Sequence, residues 1–342
     1  MRGINRQITL AVRPVGFPRI SDFNLSYSPL RSLVAGEVLV RSVYLSLDPY
    51  MRLRMNAVCA GAQPIALGEV MVGGAVAVVV ESADPGLRAG DTVEGMLGWQ
   101  EHALVRGRTL RKLDLRVAPM STALGLLGMP GLTAYFGLLD AGEPSRGETV
   151  VVSGAAGAVG MVAGQIARIE GCRVVGVAGS EIDVSWLHTE LGFDDALSYE
   201  SAADIDRQLA ASCPDGIDVY FDTVGGALTD AVLRQLNPGA RVVVCAQTSQ
   251  YNLERAETGP RWLVALVDKR AKLEGFEVSR CAARFPAARR KLGRWLRQGR
   301  LKYREEVAHG LEAAPQAFIH MLEGKNQGKQ LVRLSESLGA AA

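Results

Sequence analysis

VVSGAAGAVGMVAGQIAR, residues 151–168, passes from β-branched residues through a turn of glycine and alanine into a helix-forming stretch. Strand, glycine-rich turn and helix in that order make a cradle for phosphate. Amide hydrogens at the helix N-terminus point at the anion, and the helix dipole favours its charge. The dinucleotide form of this turn is spelled G-x-G-x-x-G. Here Ala155, Gly157 and Gly160 stand in its three glycine places. With the spelling incomplete, the turn suits either a dinucleotide or a tight βα connection without a ligand, and the flanking chain decides between them.

The flanking chain repeats the theme. TVVVS (149–153), CRVVGVAG (172–179), DALSY (195–199), IDVYFDTVGG (217–226), ARVVVCAQ (240–247) and KLEGFEV (272–278) read as short strands. Helical stretches separate the earlier ones: one to about Gly171, one over 183–192, one over 204–212 and one ending at Leu236. Strands that are apolar on both faces and alternate with helices predict an α/β fold with a Rossmann-type, doubly wound parallel sheet. In that setting the turn is expected to hold a dinucleotide. Gly157 lets the backbone approach a pyrophosphate, and Gly160 lets the helix pack close to the strand.

Before this region the chain is β-rich. EVLVRSVYLSL (37–47) and GAVAVVVES (74–82) are strand-like, and Asp84-Pro85-Gly86 and Ala89-Gly90-Asp91 are turn signals. Residues 118–145 read as helical, and the tail adds a helix over 286–298 and a strand over 329–334. The 342 residues allow two domains, and 48% hydrophobic against 22% charged residues fits a globular chain with a large core.

The formal net charge of +2 argues for neither nucleic acid nor an anionic membrane as partner. The basic stretch Arg284–Arg300 carries Phe285, Leu292, Trp295 and Leu296 at helical spacing, so its charges are expected on a solvated helix face. No apolar run approaches the ~20 residues of a membrane span. The N-terminus lacks the pattern of a signal peptide, so a cytoplasmic location is expected. Five scattered cysteines form no C-x-x-C pair, which supports neither a disulfide framework nor structural zinc and leaves them as buried thiols.

The end of the second strand bears on which nicotinamide cofactor binds. An NAD site places Asp or Glu there for the ribose hydroxyls. Here Ala178 and Gly179 occupy that place and Ser180 follows, leaving room for a 2′-phosphate, although Glu181 and Asp183 come next.

Several stretches now carry a family likeness: LSLDPYMR (45–52), GLLGMPGLTAYFGL (125–138), GETVVVSGAAGAVG (147–160), LGFDDALSY (191–199), FDTVGG (221–226), SQYN (249–252) and LEGKNQGKQLV (322–332). With these the chain resembles the zinc-independent medium-chain dehydrogenase/reductase family, in the branch of leukotriene B4 12-hydroxydehydrogenase/prostaglandin reductases, 2-alkenal reductases and curcumin reductase. The resemblance implies a GroES-like β-rich catalytic domain over 1–122, a Rossmann domain over 123–300, and a C-terminal segment 301–342 that completes the first. It implies an active site in the cleft between domains, NADP(H) as cofactor and no metal. It further implies reduction of the C=C bond of α,β-unsaturated aldehydes and ketones, and a homodimer.

By matching positions, Gly157, Ala158, Val159 and Gly160 are implied to hold the pyrophosphate. Tyr199 is implied to lie toward the 2′-phosphate, for which the small residues before Ser180 leave room, with Thr223 toward the ribose or diphosphate and Asn326 toward the nicotinamide. Cys245 to Tyr251 and Phe276 to Val278 are implied to line the nicotinamide channel. Three positions depart from the family pattern. Asp183 stands where the family has a Lys for the 2′-phosphate, which keeps NAD(H) open. Thr223 replaces an Asn, and Leu53 adds bulk near the expected substrate mouth.

Hydride transfer to the β-carbon of an enone builds negative charge on the carbonyl oxygen, which needs a hydrogen-bond donor, and the α-carbon needs a proton. Tyr251 and Tyr50 are the candidate donors, since a phenol donates at neutral pH. Packing roles remain open for both, and a cofactor hydroxyl with water is a further route for the proton. Arg52 is a candidate anchor for an acidic substrate, or a local partner of Asp48. The four histidines match no catalytic motif. Quinone reduction and cofactor binding without turnover are the competing readings.

Overall fold

The computed structural model describes residues 3–59, 61–199, 205–260 and 263–335. The chain divides into two compact units: Met1–Leu124 with Glu305–Asn326 and Gln330–Ala342, and Gly125–Arg304 with Gln327–Lys329.

The first unit is built of antiparallel strands. β1 (Ile4–Leu10) and β2 (Phe23–Pro29) form a two-stranded ribbon with Ile8 opposite Leu25. β3 (Glu37–Ser46), β4 (Gly74–Ser82), β5 (Thr92–Met96), β6 (His102–Arg106) and β7 (Arg111–Lys112) belong to a larger sheet, with the short helix α1 (Tyr50–Arg54) following β3. Alternation along β4 places Ala75, Ala77 and Val79 in the unit's main core. At its centre the Phe23 ring stacks on Trp99 at 5.7 Å.

The second unit carries the six-stranded parallel sheet expected from the apolar runs. Its strands are β8 (Thr149–Ser153), β9 (Arg173–Ala178), β10 (Asp195–Ser198), β11 (Ile217–Asp222), β12 (Leu236–Val244) and β13 (Lys272–Gly275). They lie in the order β10-β9-β8-β11-β12-β13, and every neighbouring pair is parallel. The order reverses between β8 and β11, the switch point at which sheets of this kind bind ligands beyond their strand C-termini. Val150, Val151 and Val152 are fully buried, which explains why β8 shows no polar alternation.

Helices α3 (Gly160–Glu170), α4 (Glu181–Thr189), α5 (Ile205–Ser212) and α6 (Gly226–Leu233) link these strands. Of the helix read over 204–212, Asp204 lies outside the described residues. α6 stops three residues before Leu236 because that residue already pairs with Ile217 at the start of β12. β12 in turn ends at Val244, so Cys245 to Gln247 lie beyond the strand. The helical reading over 118–145 breaks into a 3-10 turn (Met120–Leu124), α2 (Met129–Phe136) and a π-helical turn (Gly137–Gly142). A short helix α7 (Val264–Asp268) precedes β13, and helix α8 (Phe285–Arg297) buries Leu292 and Trp295, with Lys291 4.7 Å over the Trp295 ring.

The chain then returns to the first unit. β14 (Glu305–His309) and β15 (Lys329–Arg333) join its large sheet, β15 beside β3, and α9 (Ala314–Leu322) carries Phe318 edge-on to Trp99 at 5.4 Å.

Candidate functional site

The C-terminal ends of the parallel strands gather the cofactor residues expected in the second unit. Between β8 and α3, Gly154 has φ +58, and a Cβ on it would come within 2.6 Å of Thr223 Oγ1. A Cβ on Gly160 would stand 2.2 Å from the Gly154 carbonyl oxygen. Gly157 donates its N–H to that same oxygen at 2.9 Å. Both ends of the turn therefore require glycine, and the first is Gly154, one residue before the Ala155 assigned from the spelling. The spacing Gly154, Gly157, Gly160 was the available signal. Val159 is the N-cap of α3 and offers no side-chain cap. A bare backbone turn leading into an uncapped helix fits a pyrophosphate, which draws on both the amides and the dipole.

Beyond β9, the Tyr199 N–H donates to the Ala178 carbonyl at 3.1 Å, and the phenol oxygen hangs over Gly179, 3.4 Å from where a Cβ would be. Ser180 caps α4: its Oγ accepts from the Asp183 N–H at 3.2 Å and donates to Asp183 Oδ2 at 3.0 Å. The other oxygen of Asp183 binds the Arg304 guanidinium, whose central carbon lies over the Trp186 ring at 4.2 Å from its centroid. The acidic side chain in the place of the family Lys is thus buried and ion-paired. Its partner comes from a segment that no local motif connects to it, so Arg304 was missed in the sequence.

Beyond β11, Asp222 is fully buried and accepts hydrogen bonds from Ser153 Oγ at 3.0 Å and Thr229 Oγ1 at 2.7 Å. The Thr223 hydroxyl donates to the Ser153 carbonyl at 2.8 Å, so its lone pairs, not its hydrogen, are left for a ligand. The Thr248 hydroxyl donates to the Thr223 carbonyl at 3.0 Å and ties the loop after β12 to this turn. A Cβ on Gly137 would meet Phe221, Phe276 and Cys245 at 3.0–3.3 Å, so these side chains share one apolar corner. Burial pushes the Cys245 thiol well above its ordinary pKa, with the Asp222 charge adding to the shift. Burial also raises Tyr251, opposed by a backbone hydrogen bond from Gln247. Val278 is half-buried at the start of a 3-10 turn (Val278–Arg284).

Tyr50 and Asn326 belong to the other unit. Tyr50 opens α1 and packs against that unit's core, where burial and then the Asp48 carboxylate push its phenol up. Asn326 is half-buried between α9 and β15. Arg52 is buried, donating to Asn56 Oδ1 at 2.6 Å and to the Gly16 carbonyl at 2.9 Å. These bonds hold the N-terminal loop, so the guanidinium is a clamp and not a substrate anchor. Of the thiols read as buried, Cys172, Cys213 and Cys281 are so, while Cys59 and Cys245 are half-buried.

A family profile described as the N-terminal domain of oxidoreductase matches residues 6–113, and one described as zinc-binding dehydrogenase matches residues 158–292. Among the described residues no three of His, Cys, Asp and Glu are grouped to hold a metal ion. The NADPH-dependent curcumin reductase of Escherichia coli (strain K12) is 45% identical over 336 residues, covering 97% of both chains. The NADP(+)-dependent 2-alkenal reductase of Nicotiana tabacum is 41% identical, over 97% of this chain and 98% of its own. The crystal structure of CurA in complex with NADPH from Vibrio vulnificus superposes with a TM-score of 0.93 at 44% identity, covering 97% of this chain and 99% of that one. This chain belongs to the zinc-independent branch of the medium-chain dehydrogenase/reductase family of oxidoreductases.

Proposed function

We propose that the protein uses NADPH to reduce the C=C bond of α,β-unsaturated aldehydes and ketones. The glycine-built turn opening onto the uncapped N-terminus of α3 carries the cofactor half of this reading. The likeness to curcumin and 2-alkenal reductases supports the substrate half. The cofactor supplies the hydride for the β-carbon. Residues 157–160 hold its diphosphate, with Thr223 beside them. Cys245, Phe276 and Val278 shape the channel for the nicotinamide. Tyr251 donates a hydrogen bond to the developing enolate oxygen. Its raised pKa keeps the phenol protonated at neutral pH.

The 2′-phosphate falls to Tyr199, Ser180 and Arg304. An arginine near the end of the second strand accommodates that group. Pairing with Arg304 removes the repulsion a bare Asp183 would exert, which favours NADPH over NADH. A second copy of the chain is the partner for the edge strand β13, which exposes Leu273 and follows a segment that exposes Leu263, Val264 and Val267.

Initial rates with NADPH and with NADH on a 2-alkenal test the reading, with the saturated carbonyl compound as product. Arg304→Met should lower kcat/KM for NADPH by roughly tenfold and leave NADH nearly untouched. Equal losses with both cofactors would remove Arg304 from the 2′-phosphate site. Turnover of quinones alone would overturn the substrate class.

A further inference from the structure

The buried carboxylate of Asp222 sits at the C-terminal end of β11, the strand beside the switch point. Oδ1 receives Ser153 Oγ and the Tyr220 hydroxyl at 3.0 Å, and the backbone N–H groups of Val224 and Gly225 at 3.0 and 2.9 Å. Oδ2 receives Thr229 Oγ1 at 2.7 Å and Gln247 Nε2 at 3.3 Å. All six donors are neutral, and among the described residues Asp222 forms no ion pair. Donors on every side solvate an anion. The result is a negative charge held in place, with no cation against it among the described residues.

The field of this charge reaches its surroundings. After burial, it is the next cause raising the Tyr220 phenol and the Cys245 thiol. With the diphosphate on the β8–α3 turn and the adenosine on the β9 side, the nicotinamide half of a dinucleotide falls toward β11, β12 and β13. The oxidised ring carries a positive charge and the reduced ring does not. An anion under this part of the site therefore binds the two redox forms unequally.

Resting on the cofactor reading above, we propose that Asp222 sets the redox balance of the bound nicotinamide. It favours the oxidised form and so makes the bound reduced cofactor a stronger hydride donor. Ser153, Tyr220 and Thr229 hold the carboxylate in place, and the hydrogen bonds it accepts from the Val224 and Gly225 N–H groups fix the turn that carries Thr223.

Dissociation constants for NADP+ and NADPH, measured by fluorescence titration of the purified protein, test this without turnover. In Asp222→Asn, NADP+ should weaken on the order of tenfold more than NADPH. Gln247→Lys places an ammonium beside Oδ2 while keeping the carboxylate. It should move the ratio the same way even if Asp222→Asn does not fold. Thr229→Val removes a hydrogen bond and keeps the charge, so its ratio should stay within about twofold of wild type. A ratio unchanged in both charge variants, or moved equally by Thr229→Val, would reduce Asp222 to a structural role and overturn the proposal. NAD+ and NADH share the same ring charge and should show the same shift. Binding of that pair alone would sink the NADPH reading while leaving this inference to be judged on its own ratio, and binding of neither pair overturns both.

Discussion

A methyl group on Gly160 would stand 2.2 Å from the Gly154 carbonyl oxygen and 2.8 Å from the Ala155 Cα, both of them backbone atoms that cannot swing away. Gly160→Ala is expected to displace the turn, lower the melting temperature and abolish NADPH quenching of protein fluorescence. Retention of both within error would mean that the turn adapts. The same residue scale shows how much of the site could be read in the sequence. Gly157 and Gly160 were legible because a turn has local chemistry. Arg304 was not, because it meets Asp183 across 121 positions and nothing near either residue announces the other. Arg52 was legible only as a charge, and its role followed once the carbonyl of Gly16 was found against it.

At the scale of elements, the entry into β3 depends on Glu37, which receives Arg31 Nη1 and Nη2 at 2.7 and 2.8 Å and the Val34 N–H at 3.1 Å. The Arg31 hydrogen bond and then the Val34 amide hold this carboxyl down at about 2, against an ordinary value of 4.5. Between those values the unfolded chain binds more protons than the folded one, so stability rises with pH across that window. The contribution is complete above the ordinary value and lost as pH falls through about 2. Arg31→Met should therefore lower the melting temperature at pH 6, and its difference from wild type should shrink as the pH falls toward 2. A difference as large at pH 2 as at pH 6 would show that Arg31 acts by packing alone. The elements themselves were read well where one rule governs them, as in β4 and β8 with their apolar runs. Readings slipped where two elements compete for a residue. Leu236 has helix-forming character, but the ladder with Ile217 claims it.

For the whole molecule, the first unit is finished by the far end of the chain. Phe318 on α9 packs edge-on against both Phe23 and Trp99 and is fully buried. Phe318→Ala is expected to cost about 3–5 kcal/mol through lost burial and the cavity left behind. Hydrogen exchange checks where that loss falls: amides of β3 and β4 should lose protection while those of β8 and β11 keep theirs. Equal loss in both sheets would show that the two units unfold as one.

The sequence by itself determined the parallel sheet and its glycine turn, because strand burial and turn geometry are imposed by residues a few positions apart. It also carried the family, through motifs spread along most of the chain. Tertiary structure alone decided the fates of the charges. It turned Asp183 toward Arg304, buried Asp222 among neutral donors and pinned Arg52 to backbone carbonyls. A charge takes its effect from whatever the fold brings within a few ångströms of it, and those neighbours come from distant parts of the chain.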